Sequence, residues 1–258
     1  MLVEERRDRI CEIIKNVGAV ETTKLAELFN VSIETIRKDL LFLEKSDKLL
    51  KTHGGAVITG EMKPMYALTK RCEEYSQEKH SLSTAAVELI SEDDIIGIDE
   101  GSTAVAFAEV LKERFSRLTV VTHSLDVFNI LAHHKDFKMI LCGGNYMKEE
   151  RAFCGSQTLE ALRNLHIQKA FIFPTAISLE FGICGYIDDM LQVQRQLIQS
   201  ASKTYILADS SKFEKKALLK LCDINSDFYY ITDDKLDADI QGIYEKNHLM
   251  LYVGKEKK

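Results

Sequence analysis

Residues 31–40 read VSIETIRKDL, and no other stretch restricts the fold of this chain as tightly. Ser32 suits the N-cap of a helix in which Ile33, Ile36, Leu40 and Leu43 recur at three-to-four-residue spacing, so that stripe is expected to be buried. Glu34, Thr35, Arg37 and Lys38 are left outside. Asn30 and Val31 make a turn back to a second predicted helix at residues 23–29, where Leu25, Ala26, Leu28 and Phe29 are apolar and Thr22 and Thr23 offer capping hydroxyls. Upstream, Ile10, Ile13, Ile14 and Val17 predict an amphipathic helix over residues 5–16, stopped by Gly18. Two helices joined by a tight turn form a helix-turn-helix, whose second helix enters the major groove by its N-terminal turns. Residues 48–57 then read as a β-wing, with Lys51, Thr52, His53 and the amides of Gly54 and Gly55 suited to a phosphate backbone.

Charge alone does not demand this reading, since a charged helix face is also a solvated one. The first 56 residues hold ten Lys/Arg and ten Asp/Glu, so the formal charge of -6 lies in the remainder. Attraction to DNA must come from a local patch, drawn from Arg6, Arg7, Arg9, Arg37, Lys38 and Lys51 and doubled by self-association.

The run LAELFNVSIETIRKDLLFLEKSDKLLKTHGGA closely resembles the N-terminal winged helix of the DeoR family of bacterial transcriptional regulators. The resemblance begins at Arg6 and covers about 50 residues, with an HGGA wing at the expected distance from the helix. It implies that Ser32, Thr35, Arg37, Lys38 and His53 contact or orient DNA. Two positions depart from the family pattern. Lys38 stands where a second Arg is usual, losing the planar fork, and Asp47 stands where a Gly usually precedes the wing.

A chain of 258 residues is too long for a winged helix alone. The expected division is a DNA-binding domain at 1–57, a linker at 58–74 around ITGEMKPMY, and an α/β domain at 75–258. No signal pattern opens the chain, and the apolar stretch 170–187 is broken by Pro174, Thr175, Ser178 and Glu180. A cytoplasmic protein with no membrane partner is expected. Cys11, Cys72, Cys142, Cys154, Cys184 and Cys222 lack CxxC spacing, and His133 and His134 lack a nearby ligand partner, so neither a metal site nor a cofactor is expected.

Beyond residue 75, helical and strand patterns alternate. Strands are predicted at 94–99, 118–122, 137–142, 170–173, 204–208 and 228–232, with helices at 75–90, 104–114, 124–132, 156–164 and 189–201. This is an α/β pattern with a mainly parallel sheet, which binds ligands at the carboxyl ends of its strands. There Asp99, Gly101, Ser102 and Thr103 form one polar turn, Thr122, His123 and Ser124 another, and Gly143 and Gly144 a third; Lys212 adds a cation. Together they describe a pocket for a small phosphorylated or polyhydroxylated molecule.

DEGST at 99–103, LTVVTHS at 118–124, ILCGG at 140–144, ILADSSKF at 206–213 and ITDD at 231–234 resemble the effector domain of the same family, as does Lys79. The resemblance implies a fold like ribose-5-phosphate isomerase and the CoA transferases. It also implies a regulator, usually a repressor of carbohydrate use, that binds operator DNA as a homodimer or homotetramer and responds to a phosphorylated sugar or related metabolite. Here too there are departures: His123 replaces an Asn, residues 173–176 (FPTA) replace a glycine-containing turn, and Gln194 replaces a common Lys before Arg195. The alternative is a sugar-phosphate isomerase or transferase with an added DNA-binding arm, for which Asp99, Glu100 or Asp209 could nominally supply a base.

Overall fold

A computed structural model describes residues 3–17, 19–46, 48–52, 54–58 and 68–254. The first elements are α1 (Val3–Val17), β1 (Ala19–Glu21), α2 (Thr22–Phe29), α3 (Ile33–Lys45), β2 (Leu49–Thr52) and β3 (Gly55–Ile58). Ile10 and Ile14 of α1, Leu25 and Ala26 of α2, and Ile36, Leu40 and Leu43 of α3 close on one small core with Val20, Leu49 and Ala56. The strands form an antiparallel sheet in the order β1-β3-β2. A Cβ on Gly55 would lie 2.0 Å from the Val20 carbonyl oxygen, so the close approach of β3 to β1 requires glycine there.

Two local expectations are corrected. Ile33 is 41% exposed, because it sits in the first turn of α3, ahead of the part of the helix that meets the core. The residue before α2 is Glu21, whose side chain makes no capping bond; Thr22 is already helical and buried. Asn30 closes α2 in the left-handed region at φ 51°, a conformation that Asn tolerates. Gly18, Asp47, His53 and residues 59–67 of the expected linker lie outside the described residues.

A short helix, α4 (Leu68–Glu73), occupies part of the stretch expected to be linker. It is followed by α5 (Ser76–Val87), β4 (Ile95–Ile98), α6 (Ser102–Arg114), β5 (Thr119–Thr122), α7 (Leu125–Leu131) and β6 (Lys138–Leu141). A hairpin of β7 (Asn145–Met147) and β8 (Ala152–Cys154) leads to α8 (Ser156–Arg163) and β9 (Ile167–Ile172). Next come β10 (Ala176–Ser178), β11 (Gly182–Gly185), α9 (Asp188–Ser200), β12 (Ala201–Leu207) and a 3-10 turn at Ser210–Lys212. The last elements are β13 (Leu219–Cys222), β14 (Tyr229–Thr232), α10 (Ala238–Lys246) and β15 (Met250–Val253).

Seven strands form a wholly parallel sheet in the order β15-β14-β12-β9-β4-β5-β6. Both faces are covered by helices, as the buried stretches 96–98 of β4, 170–172 of β9 and 204–207 of β12 require. Leu82 and Ala86 of α5 pack with Phe107 and Leu111 of α6 in one core; Leu162 of α8 and Val193 and Leu197 of α9 pack in the other. The antiparallel pieces, β7-β8 and β10-β11-β13, are additions that the sequence pattern does not reveal. Among the described residues no helix is long and apolar enough to cross a membrane, and no group of three or more His, Cys, Asp or Glu side chains could hold a metal ion.

Candidate DNA interface and effector site

The outward face of α3 begins at its cap. Ser32 Oγ accepts the Thr35 amide hydrogen at 3.1 Å and meets the Thr35 hydroxyl at 2.8 Å, which fixes the first turn of the helix. Ser32, Glu34, Arg37 and Lys38 are exposed and Thr35 is half-buried. Arg37 Nη1 pairs with Glu34 at 3.3 Å across one turn, an exposed contact that a stronger anion can displace. Lys51 is half-buried on β2, and its amide donates to Glu44 at 2.9 Å, tying the wing to α3.

The expected basic patch is smaller than the sequence suggests. Arg6 Nε donates to Asp39 at 2.6 Å and Arg7 Nε to the other Asp39 oxygen at 2.9 Å, with Asp39 only 2% exposed. Arg7 also stacks its guanidinium 3.8 Å from the Phe42 ring centroid. Both cations are therefore committed to joining α1 to α3, whereas Arg9, Arg37 and Lys38 remain outward.

The second site lies at the carboxyl ends of the parallel strands. After β4 the chain turns through Gly101, whose φ of 112° favours glycine, into α6, whose N-cap has no side-chain bond. That end of α6 presents free amides beside Ser102, half-buried, and Thr103, buried. After β12, Asp209 caps the 3-10 turn, accepting the Ser211 amide at 3.1 Å and the Ser211 hydroxyl. The half-buried Lys212 ammonium has no hydrogen-bond or ion-pair partner among the described residues, and its charge is felt by Lys79.

Behind this rim lies a fully buried network. Asp99 Oδ1 faces His123 Nε2 at 3.0 Å, while Asp99 Oδ2 accepts Gln194 Nε2 at 2.8 Å and the Phe173 amide at 3.2 Å. His123 Nδ1 meets the Phe153 carbonyl at 2.8 Å, so both ring nitrogens face acceptors and the ring clamps β8 against the end of β5. The Thr122 hydroxyl donates to the Ile98 carbonyl at 2.8 Å and accepts the Ser124 amide, and Ser124 Oγ caps α7. Gly143 accepts Thr158 through its carbonyl, whereas a Cβ on Gly144 would lie 2.3 Å from the Thr158 hydroxyl. Asp99, Thr122, His123 and Ser124 thus join the strand ends to one another, while Gly101, Ser102, Thr103 and Lys212 border the rim.

Three further groups converge here. Glu150 reaches the site from the turn of the β7-β8 hairpin that His123 clamps, and it is 2% exposed. It pairs with Arg71 of α4 and lies beside Glu100. Burial, then the adjacent Glu150 carboxylate, pushes the Glu100 carboxyl well above its usual value. Burial also lowers the Lys79 ammonium pKa, and its Nζ donates to the carbonyls of Arg71 and, at 2.5 Å, Glu74. Nothing periodic in the sequence marks Arg71 or Glu150, because each lies in or beside a very short element.

Comparison with known proteins bears on both halves. Residues 6–61 match the DeoR-like helix-turn-helix domain, and residues 74–234, more than half of the chain, match the DeoR C terminal sensor domain. The chain belongs to the DeoR family. Its similar relatives include a putative aga operon transcriptional repressor of Escherichia coli O157:H7, 28% identical over 97% of this chain and 94% of that one. The transcriptional repressor GlcR of Bacillus subtilis is 29% identical over 98% and 97%. A lactose phosphotransferase system repressor of Staphylococcus epidermidis is 31% identical over 89% and 92%. Among solved structures, ribose 5-phosphate isomerase A of Methanocaldococcus jannaschii aligns with 55% of this chain and 56% of its own, at a TM-score of 0.41 and 17% identity. The DeoR-family frame accounts for the order of the two sites along the chain, a winged helix first and a sensor domain after it.

Proposed function

We propose that this DeoR-family chain is a sequence-specific DNA-binding repressor of a carbohydrate-utilisation operon, whose operator affinity changes when a phosphorylated sugar or related metabolite occupies the sensor domain. The observation that carries the DNA half is the face of α3, where a capped first turn holds Ser32, Ile33, Glu34, Arg37 and Lys38 outward. Arg37 and Lys38 suit phosphates or guanine edges, and the exposed Ile33 suits a thymine methyl. The effector half is supported by a rim that combines the open N-terminus of α6 with the unpaired Lys212. An anion gains there from backbone amides, the helix dipole and a cation together. Asp99, Thr122, His123, Ser124, Gly143 and Gly144 hold the rim in shape, and the names of the relatives support sugar operons as its setting.

The test is thermal unfolding of the full chain against sugar phosphates, polyol phosphates and their unphosphorylated forms. A ligand at 100 times its Kd stabilises by about 2.7 kcal/mol, a rise of about 5–10 °C in Tm for a chain of this size. Stabilisation only by unphosphorylated compounds would sink the phosphate assignment, and stabilisation by none would sink the sensor reading.

A further inference from the structure

The cation at the rim is followed by a strained turn. Lys212 ends the 3-10 turn that Asp209 caps, Phe213 enters the core, and Glu214 then takes the left-handed region at φ 51°. That conformation costs any residue with a Cβ, so it persists only where its surroundings hold it. Here the Glu214 side chain does so. Its Oε1 accepts the amide of Leu179, just after β10, at 3.2 Å and the hydroxyl of Tyr244, on α10, at 2.8 Å. Tyr244 is fully buried and meets Phe213 edge-on, with 5.3 Å between ring centroids. The Lys215 amide donates to the Ile177 carbonyl at 3.1 Å, which returns the chain to β10. The backbone is thus fixed on either side of Glu214, and the left-handed turn between is what lets both sides keep their places.

We infer that Glu214 is the positioning residue for the rim cation: its two hydrogen bonds hold the left-handed turn that keeps Lys212 on the rim, where an effector anion would bind. The inference rests on the effector reading above, whose cation is Lys212. No hydrogen bond or ion pair of its own fixes the Lys212 ammonium among the described residues, so the course of the backbone decides where it can reach. The Glu214 charge does not explain the residue, because a carboxylate two positions from Lys212 disfavours an anion there. What the side chain supplies is an acceptor.

Chemical acetylation of the full chain, read lysine by lysine by mass spectrometry, reports the placement of Lys212 with no ligand present. The half-buried Lys212 amine should label about fivefold faster in Glu214→Ala than in the wild type. Lys169, on β9 and paired with Asp94, should keep its rate. Two variants should restore slow labelling: Glu214→Gln, which keeps a carbonyl oxygen for both donors, and Glu214→Gly, which takes the left-handed turn without strain. Glycine removes the tie between β10 and α10 as fully as alanine does, so fast labelling in Glu214→Gly would reduce Glu214 to a structural tie and overturn the inference. Unaltered Lys212 labelling in Glu214→Ala would also overturn it, as would a parallel rise at Lys169, which means general loosening. The second arm titrates glucose 6-phosphate, fructose 6-phosphate and inorganic phosphate, with Tm as the readout. A probe that stabilises the wild type should bind Glu214→Ala about tenfold more weakly, and the loss should vanish in a Lys212→Ala background, where no ammonium is left to place. An equal loss in both backgrounds would show that Glu214 acts without Lys212. If Lys212 labels as expected but no probe stabilises the wild type, the effector reading fails while the positioning of Lys212 stands.

Discussion

Asp39 decides how many cations the winged helix can spare for DNA. Its two carboxylate oxygens take Arg6 and Arg7, so residues that read as part of a basic patch become the joint between α1 and α3. Removing one partner of a buried ion pair leaves the other uncompensated, at about 3–5 kcal/mol. Asp39→Ala should therefore lower the denaturant midpoint of the winged-helix transition, leaving the sensor-domain transition in place; an unchanged midpoint would mean that water replaces the carboxylate without loss. Glu100 makes the opposite case, a carboxyl whose ionisation the fold resists. Its pKa is raised from 4.5, so above that value the folded chain retains a proton that the unfolded chain has lost, and stability falls as pH rises through the window between the two pKa values. Glu100→Gln keeps the shape of the side chain and abolishes the titration. The variant should melt above the wild type near neutral pH, by about 2–4 °C for each kcal/mol relieved, and the gap should close as pH falls toward 4.5. A gap that is independent of pH would mean that Glu100 is not the group whose ionisation the fold resists.

At the scale of elements, legibility followed the length of the pattern. α3 was readable because a Ser cap and a three-to-four apolar repeat coincide over its 13 residues, and the parallel strands were readable because β4 is apolar throughout and β9 and β12 end in the apolar runs 170–172 and 205–207. Strands of three residues carry no period, so the β7-β8 hairpin was silent, and with it the arrival of Glu150 at the rim. His123 was visible as a polar residue at a strand end, but its clamp on β8 depends on a contact 30 residues away that spacing cannot encode. α3 also carries the most direct functional prediction. Arg37→Ala leaves the buried side of the helix untouched, so its effect should appear in DNA binding and not in Tm. Against an operator recovered by selection from random DNA, affinity should fall by about 1–3 kcal/mol if Arg37 reads a guanine. If it meets a phosphate, the salt slope should shrink by about 0.9. Wild-type affinity and slope together would remove Arg37 from the interface.

For the whole molecule, the distribution of charge suggests how many copies act together. The first 56 residues are formally neutral and the rest carries -6, so the sensor domain repels DNA and leaves contact to the winged helix. With Arg6 and Arg7 committed internally, the outward cations of one winged helix are few, and a single small module buries only about 600–1,000 Å² against DNA. Selective binding then calls for two winged helices on one duplex, which a sensor domain can set at a fixed separation by pairing with a second copy. The operator should accordingly be a repeated half-site whose centres lie about 10–10.5 bp apart or a multiple of that distance. Sedimentation of the protein with such DNA should give at least two chains per duplex, and inserting half a helical turn between the half-sites should weaken binding at least about tenfold, since the two recognition helices would then face opposite sides of the duplex. Full-affinity binding of one chain to one half-site would overturn the paired arrangement while leaving the α3 contacts in force. In such a paired arrangement both winged helices would have to fit their half-sites at once, so a small displacement where each leaves its sensor domain would be enough to lower affinity, and a metabolite bound far from the DNA would act by changing that spacing alone.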